Sequence, residues 1–345
     1  MLTRSFGANG QFVLTDWTQE LNVIPNQWGT IGQFGIFGEE SVASSSVTFE
    51  EIVKDGAVIA DRVRGDRGNQ NKDYTRKLHT FAVPHFPLDD AIYPKDLANV
   101  RAYANPTEAD QLALVRARKM ERIAQDHSWT LEFARAQAIT AGTVYAPNGT
   151  VTQDWNSEFG WTRTSVDFTF GTGTTEILDK IEQCIASIQD NLSNGQTMTG
   201  IVAFCSPTWF AKLISHPTVK AAYQYYTSTQ EPLRQRLSAG GGNSSATVRR
   251  EFFYGGVQFV EMRDRYAGTQ LITAGKAYFV AQGTDAFRTY FAPAERFDLV
   301  NTLGERMYYF ENASPNGTKY EIETESNFVN AILRPQAVVE ASSSN

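Results

Sequence analysis

Apolar residues along this chain follow two rhythms, and each predicts a different kind of element. From Thr107 to Ala141, Leu112, Val115, Ile123, Leu131, Ala134 and Ala138 recur at helical spacing and supply one seated face. Pro106 stands before Thr107-Glu108-Ala109-Asp110, which offers an N-cap hydroxyl and acids in the first turn, and Gly142 marks the end. Such a helix is roughly 50 Å long, longer than a small domain is wide. Arg116, Arg118, Lys119, Arg122 and Arg135 make its remaining surface basic. The plain reading is a core helix interrupted near Asp126-His127-Ser128. The other is a girder that exposes charge to neighbouring molecules. A second stripe, Ile177, Leu178, Ile181, Cys184, Ile185 and Ile188, predicts a helix that Gly195 follows. Ser206-Pro207 reads as an N-cap and N1 proline opening a third helix, with Trp209, Phe210, Leu213 and Ile214, broken at His216-Pro217 and resuming with Val219 and Tyr223.

The other rhythm is alternation. Val47 to Lys54 and Ala57 to Val63 read as strands joined by Asp55-Gly56, because a type I′ turn needs positive φ. Arg64 to Asp73 is a polar tip, and Thr75 to Val83 a return strand. A charged hairpin with so little apolar surface has no private core and reads as a projection. Pro84 and Pro87 are expected to stop its pairing, with Asp89 or Asp90 capping a short helical turn. Further strands are expected at 164–170, 198–205, 252–262 and 276–280, at 308–312 and 319–325 around the turn Ser314-Pro315-Asn316-Gly317, and at 329–339. Residues 1–40 are apolar yet aperiodic, an arm that must bury itself on its own chain or on a neighbour. Residues 227–248 are polar and glycine-rich, a loop.

Composition narrows the function. The 345 residues suffice for two domains, and 12% aromatic content argues for large packed or contacting surfaces. A net charge of −7 excludes a coat that neutralises nucleic acid, although an acidic protein can still enclose it. Two cysteines, Cys184 and Cys205, make no disulfide framework. No apolar run approaches membrane-spanning length, and the N-terminus has no secretory h-region.

Candidate chemistry is sparse. His79, His85, His127 and His216 lack metal-ligand spacing; His79, His85, Asp89 and Asp90 form the nearest cluster, with two prolines between them. Cys205 and Ser206 near His216 suggest a nucleophile, but both are explained as a strand-end core residue and a helix cap. Gly171-x-Gly173 before a helix hints at a dinucleotide loop, yet Glu176 stands where a phosphate would approach. No catalytic, metal or cofactor-binding residue is assigned. What remains is an arm, a projecting hairpin, a long basic helix and a compact body, parts suited to gripping neighbours.

Several stretches, in order, are similar to one family. They include Phe49-Glu50-Glu51 with Lys54-Asp55-Gly56, the run Phe81 to Asp90, Met198-Thr199-Gly200 with Cys205-Ser206-Pro207, and Ile214 to Lys220. Tyr254-Gly255-Gly256-Val257, Ala274-Gly275-Lys276-Ala277, Tyr290 to Ala294, Val300 to Gly304, Ser326-Asn327 and Arg334-Pro335 complete them. On these the chain resembles the major capsid proteins of lambda-like tailed bacteriophages, over about residues 30–340. The resemblance implies an α+β Hong Kong 97-type fold with four parts: an N-terminal arm (1–40), an extended hairpin loop (41–83), a peripheral domain (84–170 and 300–327) with a spine helix (107–141), and an axial domain (171–299 and 328–345). It implies hexamers and pentamers closing into an icosahedral shell around double-stranded DNA that is contacted only weakly. Scaffold, portal and decoration proteins would be partners, assembly would take place in the host bacterial cytoplasm, and no membrane or cofactor would take part. Expected subunit contacts are Phe12, Trp17, Trp28 and Phe34 in the arm, Glu50, Lys54, Arg64, Asp66 and Lys72 in the hairpin, and Arg116 and Arg122 on the helix. Deleting residues 1–35 is expected to leave a folded body that assembles poorly. The competing readings are an encapsulin-like or gene-transfer shell of the same fold, and a soluble α/β enzyme.

Overall fold

A computed structural model describes residues 15–16, 29–53, 75–98, 108–192, 197–224, 250–266 and 269–344. The chain opens with β1 (Thr15–Asp16), a single helical turn α1 (Thr30–Gln33) and β2 (Gly38–Ser41). Strands β3 (Ser46–Val53), β4 (Thr75–Ala82) and β5 (His85–Ile92) precede the short α2 (Pro94–Ala98) and the long α3 (Glu108–Ala141). Then come α4 (Trp155–Glu158), β6 (Ser165–Asp167), α5 (Ile177–Asn191), β7 (Gly200–Cys205), α6 (Pro207–Ser215) and α7 (Pro217–Gln224). The remaining strands are β8 (Glu251–Tyr254), β9 (Val257–Glu261), β10 (Arg265–Tyr266), β11 (Thr269–Gln270), β12 (Lys276–Gln282), β13 (Phe287–Phe291), β14 (Tyr308–Ala313), β15 (Tyr320–Ile332) and β16 (Val338–Ser342).

Two mixed sheets organise them. One runs β6-β16-β12-β7-β9-β8. Ile201 to Cys205 are all buried, the unbroken apolar run expected of a central strand covered on both faces. Trp209 of α6 packs edge-on to Phe168 and Phe170 and stacks near Phe259. The other sheet runs β1-β14-β15-β13-β2, with β5 also on β15. The 13-residue β15 pairs along its first part with β14 and β5 and along its last part with β13.

The long helix is continuous over 34 residues, so the expected interruption at residues 126–128 does not occur. Ser128 and Thr130 donate to the carbonyls of Ala124 and Asp126, which satisfies them within the helix. His127 turns inward and meets Thr324 Oγ1 at 3.0 Å. Val115, Met120, Ile123 and Ala124 pack with Ile92, Met307, Tyr309 and Ile322. Leu131 and Ala134 join Phe291 and Phe328, and Ala136, Ala138 and Ile139 enter the main core. Arg135, expected on the basic surface, is buried, because Glu39 and Thr289 receive it.

Other expectations change for identifiable reasons. Residues 85–92 form a strand despite Pro87, which sits opposite Glu325; β5 is an edge strand, where a missing N–H costs nothing. Asp90 caps no helix and instead holds Lys119 at 2.8 Å. Residues 251–261 are two strands, because Gly255 and Gly256 both take positive φ and turn the chain. The expected strand 329–339 is the end of β15 and the start of β16, separated by a 3₁₀ turn at Pro335–Ala337. Ser206 occupies the N-cap position, but its hydroxyl accepts from Gly275 N–H at 3.0 Å. The Asp55-Gly56 turn, the hairpin tip, Gly195 and the 227–248 loop lie outside the described residues.

The end of the arm is packed on its own chain. Ile31, Ile36 and Phe37 are in the main core, β2 runs parallel to β13, and Glu132 of α3 accepts from Ile31 N–H at 2.6 Å and Gly32 N–H at 3.1 Å. A deletion of residues 1–35 would therefore remove core and leave a buried carboxylate without its donors, so the boundary for removing an arm is Trp28.

Two buried groups set opposing pH limits. Burial lowers His127 from 6.5 to about 4, so its share of stability is complete above pH 6.5 and is lost as pH falls towards 4. Burial raises Glu132 from 4.5 to about 7 against the pull of its backbone donors and Arg135; its share is complete below pH 4.5 and is lost as pH rises to 7. Chemical denaturation across pH should give greatest stability in between. His127→Gln should flatten the acid limb and Glu132→Gln the neutral limb, each by on the order of 2–3 kcal/mol.

Candidate subunit-contact surface

The two described strands of the expected hairpin are held against the body. Strand β3 pairs directly with β4 from Ser46↔Ala82 to Val53↔Thr75, and alternation puts Val47, Phe49, Glu51, His79 and Phe81 on one face. That face meets the body. Phe81 packs edge-on to Trp155 at 4.7 Å between ring centroids, and His79 lies 4.9 Å from Phe159. The buried imidazole of His79 bridges Glu158 of α4 at 2.7 Å and Glu51 of β3 at 3.1 Å. Burial works to lower its pKa, and the two carboxylates outweigh it, leaving His79 above 6.5. The opposite face carries Thr48, Glu50, Arg76, Leu78 and Thr80, and Leu78 is exposed there.

Similar clasps fasten the other parts to α3. Glu39 of β2 receives Arg135 at 2.9 Å and Arg306 at 3.0 Å. Arg116 reaches Glu311 of β14 at 2.7 Å, and Lys119 reaches Asp90 of β5. Of the expected contact residues, Arg116 is thus engaged within its own chain, and Phe34 is half-buried against Phe204, 5.7 Å away. Glu50 is exposed and pairs with Arg76 at 3.3 Å, and Arg122 is exposed on the outward face of α3. Phe12, Trp17, Trp28, Lys54, Arg64, Asp66 and Lys72 lie outside the described residues. Sequence reasoning missed Phe253, Phe297, Val300 and Leu303, which are exposed; only their apolar character could have flagged them, and that also fits a core.

The enzyme-like constellations do not assemble. Cys205 is fully buried, its thiol pushed well up by burial and donating to Ala203. His216 is held by Thr218 and the Thr172 carbonyl. His79, His85 and Asp90 face Glu158, Asn327 and Lys119 respectively, and no group of three or more ligands gathers among the described residues.

The His79 clasp has a testable sign. The stabilisation given by its cation is complete below pH 6.5 and is lost as pH rises through the raised pKa. Hydrogen-exchange protection factors for β3 and β4 should fall over that rise, and His79→Gln should remove the dependence.

Comparison with known proteins agrees with this geometry. The model of the family "Phage major capsid protein E" matches residues 14–343. The chain is 44% identical over 340 residues to the major capsid protein of Pseudomonas phage KPP10, covering 95% of this chain and 96% of that one. It is 25% identical over 365 residues to the major capsid protein of Salmonella phage Felix O1, covering 99% and 98%. The mature capsid of bacteriophage PhiM1 has a chain of the same fold, with a TM-score of 0.53 at 13% identity over 90% of this chain and 86% of that one. The α+β shell fold of the Hong Kong 97 type is therefore the fold found, and the chain belongs to the phage major capsid protein E family.

Proposed function

We propose that this protein builds the icosahedral head of a tailed phage, assembling with copies of itself through hexamers and pentamers around double-stranded DNA. The observation that carries this is the family match over residues 14–343, on a chain whose strands β3 and β4 are clasped to the body through His79. The sheet containing β7 and β12 serves as the axial domain, and the sheet on α3 as the peripheral domain. Because β13 pairs with β15, residues 287–291 go with the peripheral sheet. The hairpin reaches over a neighbouring subunit, and residues before Trp28 act as the arm. Scaffold, portal and decoration proteins are the other partners, and assembly proceeds in the host cytoplasm before the protein enters the virion. With a net charge of −7, the inner wall repels DNA weakly and leaves it mobile.

Negative-stain microscopy with sedimentation, on protein expressed with its scaffold, should show closed shells, tubes or capsomers. A uniform monomer or dimer would overturn the proposal. Deleting residues 1–28 takes the two-residue β1 off the edge of β14, so the thermal midpoint should fall modestly, and shell yield should fall much further, because many modest burials at ~25 cal/mol per Å² are removed from each subunit contact. Normal shells from that deletion would remove the arm from the assembly.

A further inference from the structure

The same short sequence occurs at two distant places and folds the same way at both. Pro147-Asn148-Gly149-Thr150 and Pro315-Asn316-Gly317-Thr318 are exposed throughout. Gly149 N–H donates to the Ala146 carbonyl at 2.9 Å, and Gly317 N–H to the Ser314 carbonyl at 2.9 Å. Each bond closes a β-turn whose second residue is proline, with its φ preset by the ring. Gly149 and Gly317 take φ of 69° and 63°. A Cβ built on either glycine would meet nothing within 4 Å, so the space around both is open.

That combination is reactive. The backbone nitrogen after an asparagine can close a ring on the side-chain Cγ of that asparagine, and a side chain on the following residue crowds the approach. Glycine offers no such obstacle. The other asparagines among the described residues are each followed by a residue with a side chain. Asn156 and Asn191 lie in α4 and α5, Asn312, Asn327 and Asn330 lie in β14 and β15, and Thr302 follows Asn301.

We propose that Asn148 and Asn316 are sites of spontaneous conversion to aspartate and isoaspartate, driven by water alone. The glycine nitrogen, having lost its proton to hydroxide, attacks Cγ and forms a new N–Cγ bond. The Cγ–Nδ2 bond breaks, and the side-chain nitrogen takes a proton from water and leaves as ammonia. Water then opens the resulting succinimide. Breaking the new N–Cγ bond gives aspartate, and breaking the original peptide bond gives isoaspartate, whose backbone is one carbon longer. Nothing is oxidised or reduced. Each event exchanges a neutral amide for a carboxylate on a chain whose net charge is already −7.

The turn sets the pace, because the bond donated by the glycine N–H must open before its nitrogen can attack. Around Asn316 the chain is clamped closely, with Ser314 N–H donating to the Lys319 carbonyl at 2.9 Å. Around Asn148 the corresponding closure is wider, from Val144 N–H to the Gln153 carbonyl at 3.0 Å. More chain can open there, so Asn148 converts first. None of this depends on shell assembly.

The test uses the purified full-length chain, held folded in mildly alkaline buffer and sampled over days. Its peptides are separated and weighed, and fragmentation that distinguishes the two backbones identifies isoaspartate. Both acids are expected at both positions, with isoaspartate in excess and Asn148 ahead of Asn316 by at least about twofold. A parallel sample unfolded in urea shows that the same peptides can react. Conversion there with none in the folded chain would overturn the proposal, and aspartate without isoaspartate would overturn the succinimide route. Equal rates at the two positions would overturn the control by turn closure. Asn148→Gln, whose ring would be larger and closes far more slowly, should abolish conversion at 148 and leave the rate at 316 unchanged. Acid appearing at 148 in that variant at the original rate would also count against the route.

Discussion

Burial of one side of α3 is the constraint on which the other parts depend. The helix passes through three apolar clusters in turn, two of them on the sheet built around β15 and the third in the main core. A helix of this length, with much of its surface polar, gains little from propensity alone and is stable because tertiary packing takes its apolar stripe. In return it gives β2, β5, β14 and the end of the arm a common rigid support. Strands β3 and β4 are fastened chiefly on α4 and its aromatic neighbours, and Val47 and Phe81 share the main core with Ala136, Ala138 and Ile139 of the helix.

The fastenings are polar as often as apolar. Glu132 on the first amides of α1, Arg135 on Glu39 and Thr289, and His127 on Thr324 all sit within or beside the core. Removing one member of such a contact leaves an unpaired buried group and costs more than the contact contributes when intact. These contacts therefore specify one arrangement of the arm, helix and sheet more than they add stability. Among apolar contacts, many neighbouring arrangements would be nearly as good.

Much of this was legible in residue order. The long helix, the stripe from Ile177 to Ile188, the buried strand at 200–205 and the turn at 314–317 follow from periodicity and turn chemistry. The failures have physical causes. His127 read as part of a break in the helix and Arg135 as surface, because their partners, Thr324, Thr289 and Glu39, are far away in sequence. Pro87 looked like a strand terminator because nothing local says that β5 lies at an edge. Gly255-Gly256 was passed over inside an apolar run, although it carries the same turn signal as Asp55-Gly56. The exposed apolar side chains were least legible, since Phe297, Val300 and Leu303 read like core residues until the backbone around them is seen to be fastened with their side chains outside. Family resemblance supplied the assembly, and periodicity did not.

The open edges of the two sheets bear on how such a molecule survives crowding. At those edges β1, β6, β2 and β8 are only two to four residues long. β2 carries Glu39 and Glu40, and the longer β5 carries Pro87 with Asp89 and Asp90. Short, acidic or proline-bearing edges are poor templates for adding another strand. Copies held at high local concentration are thus steered away from unlimited sheet extension, and misplaced subunits can leave again before a shell closes around the error.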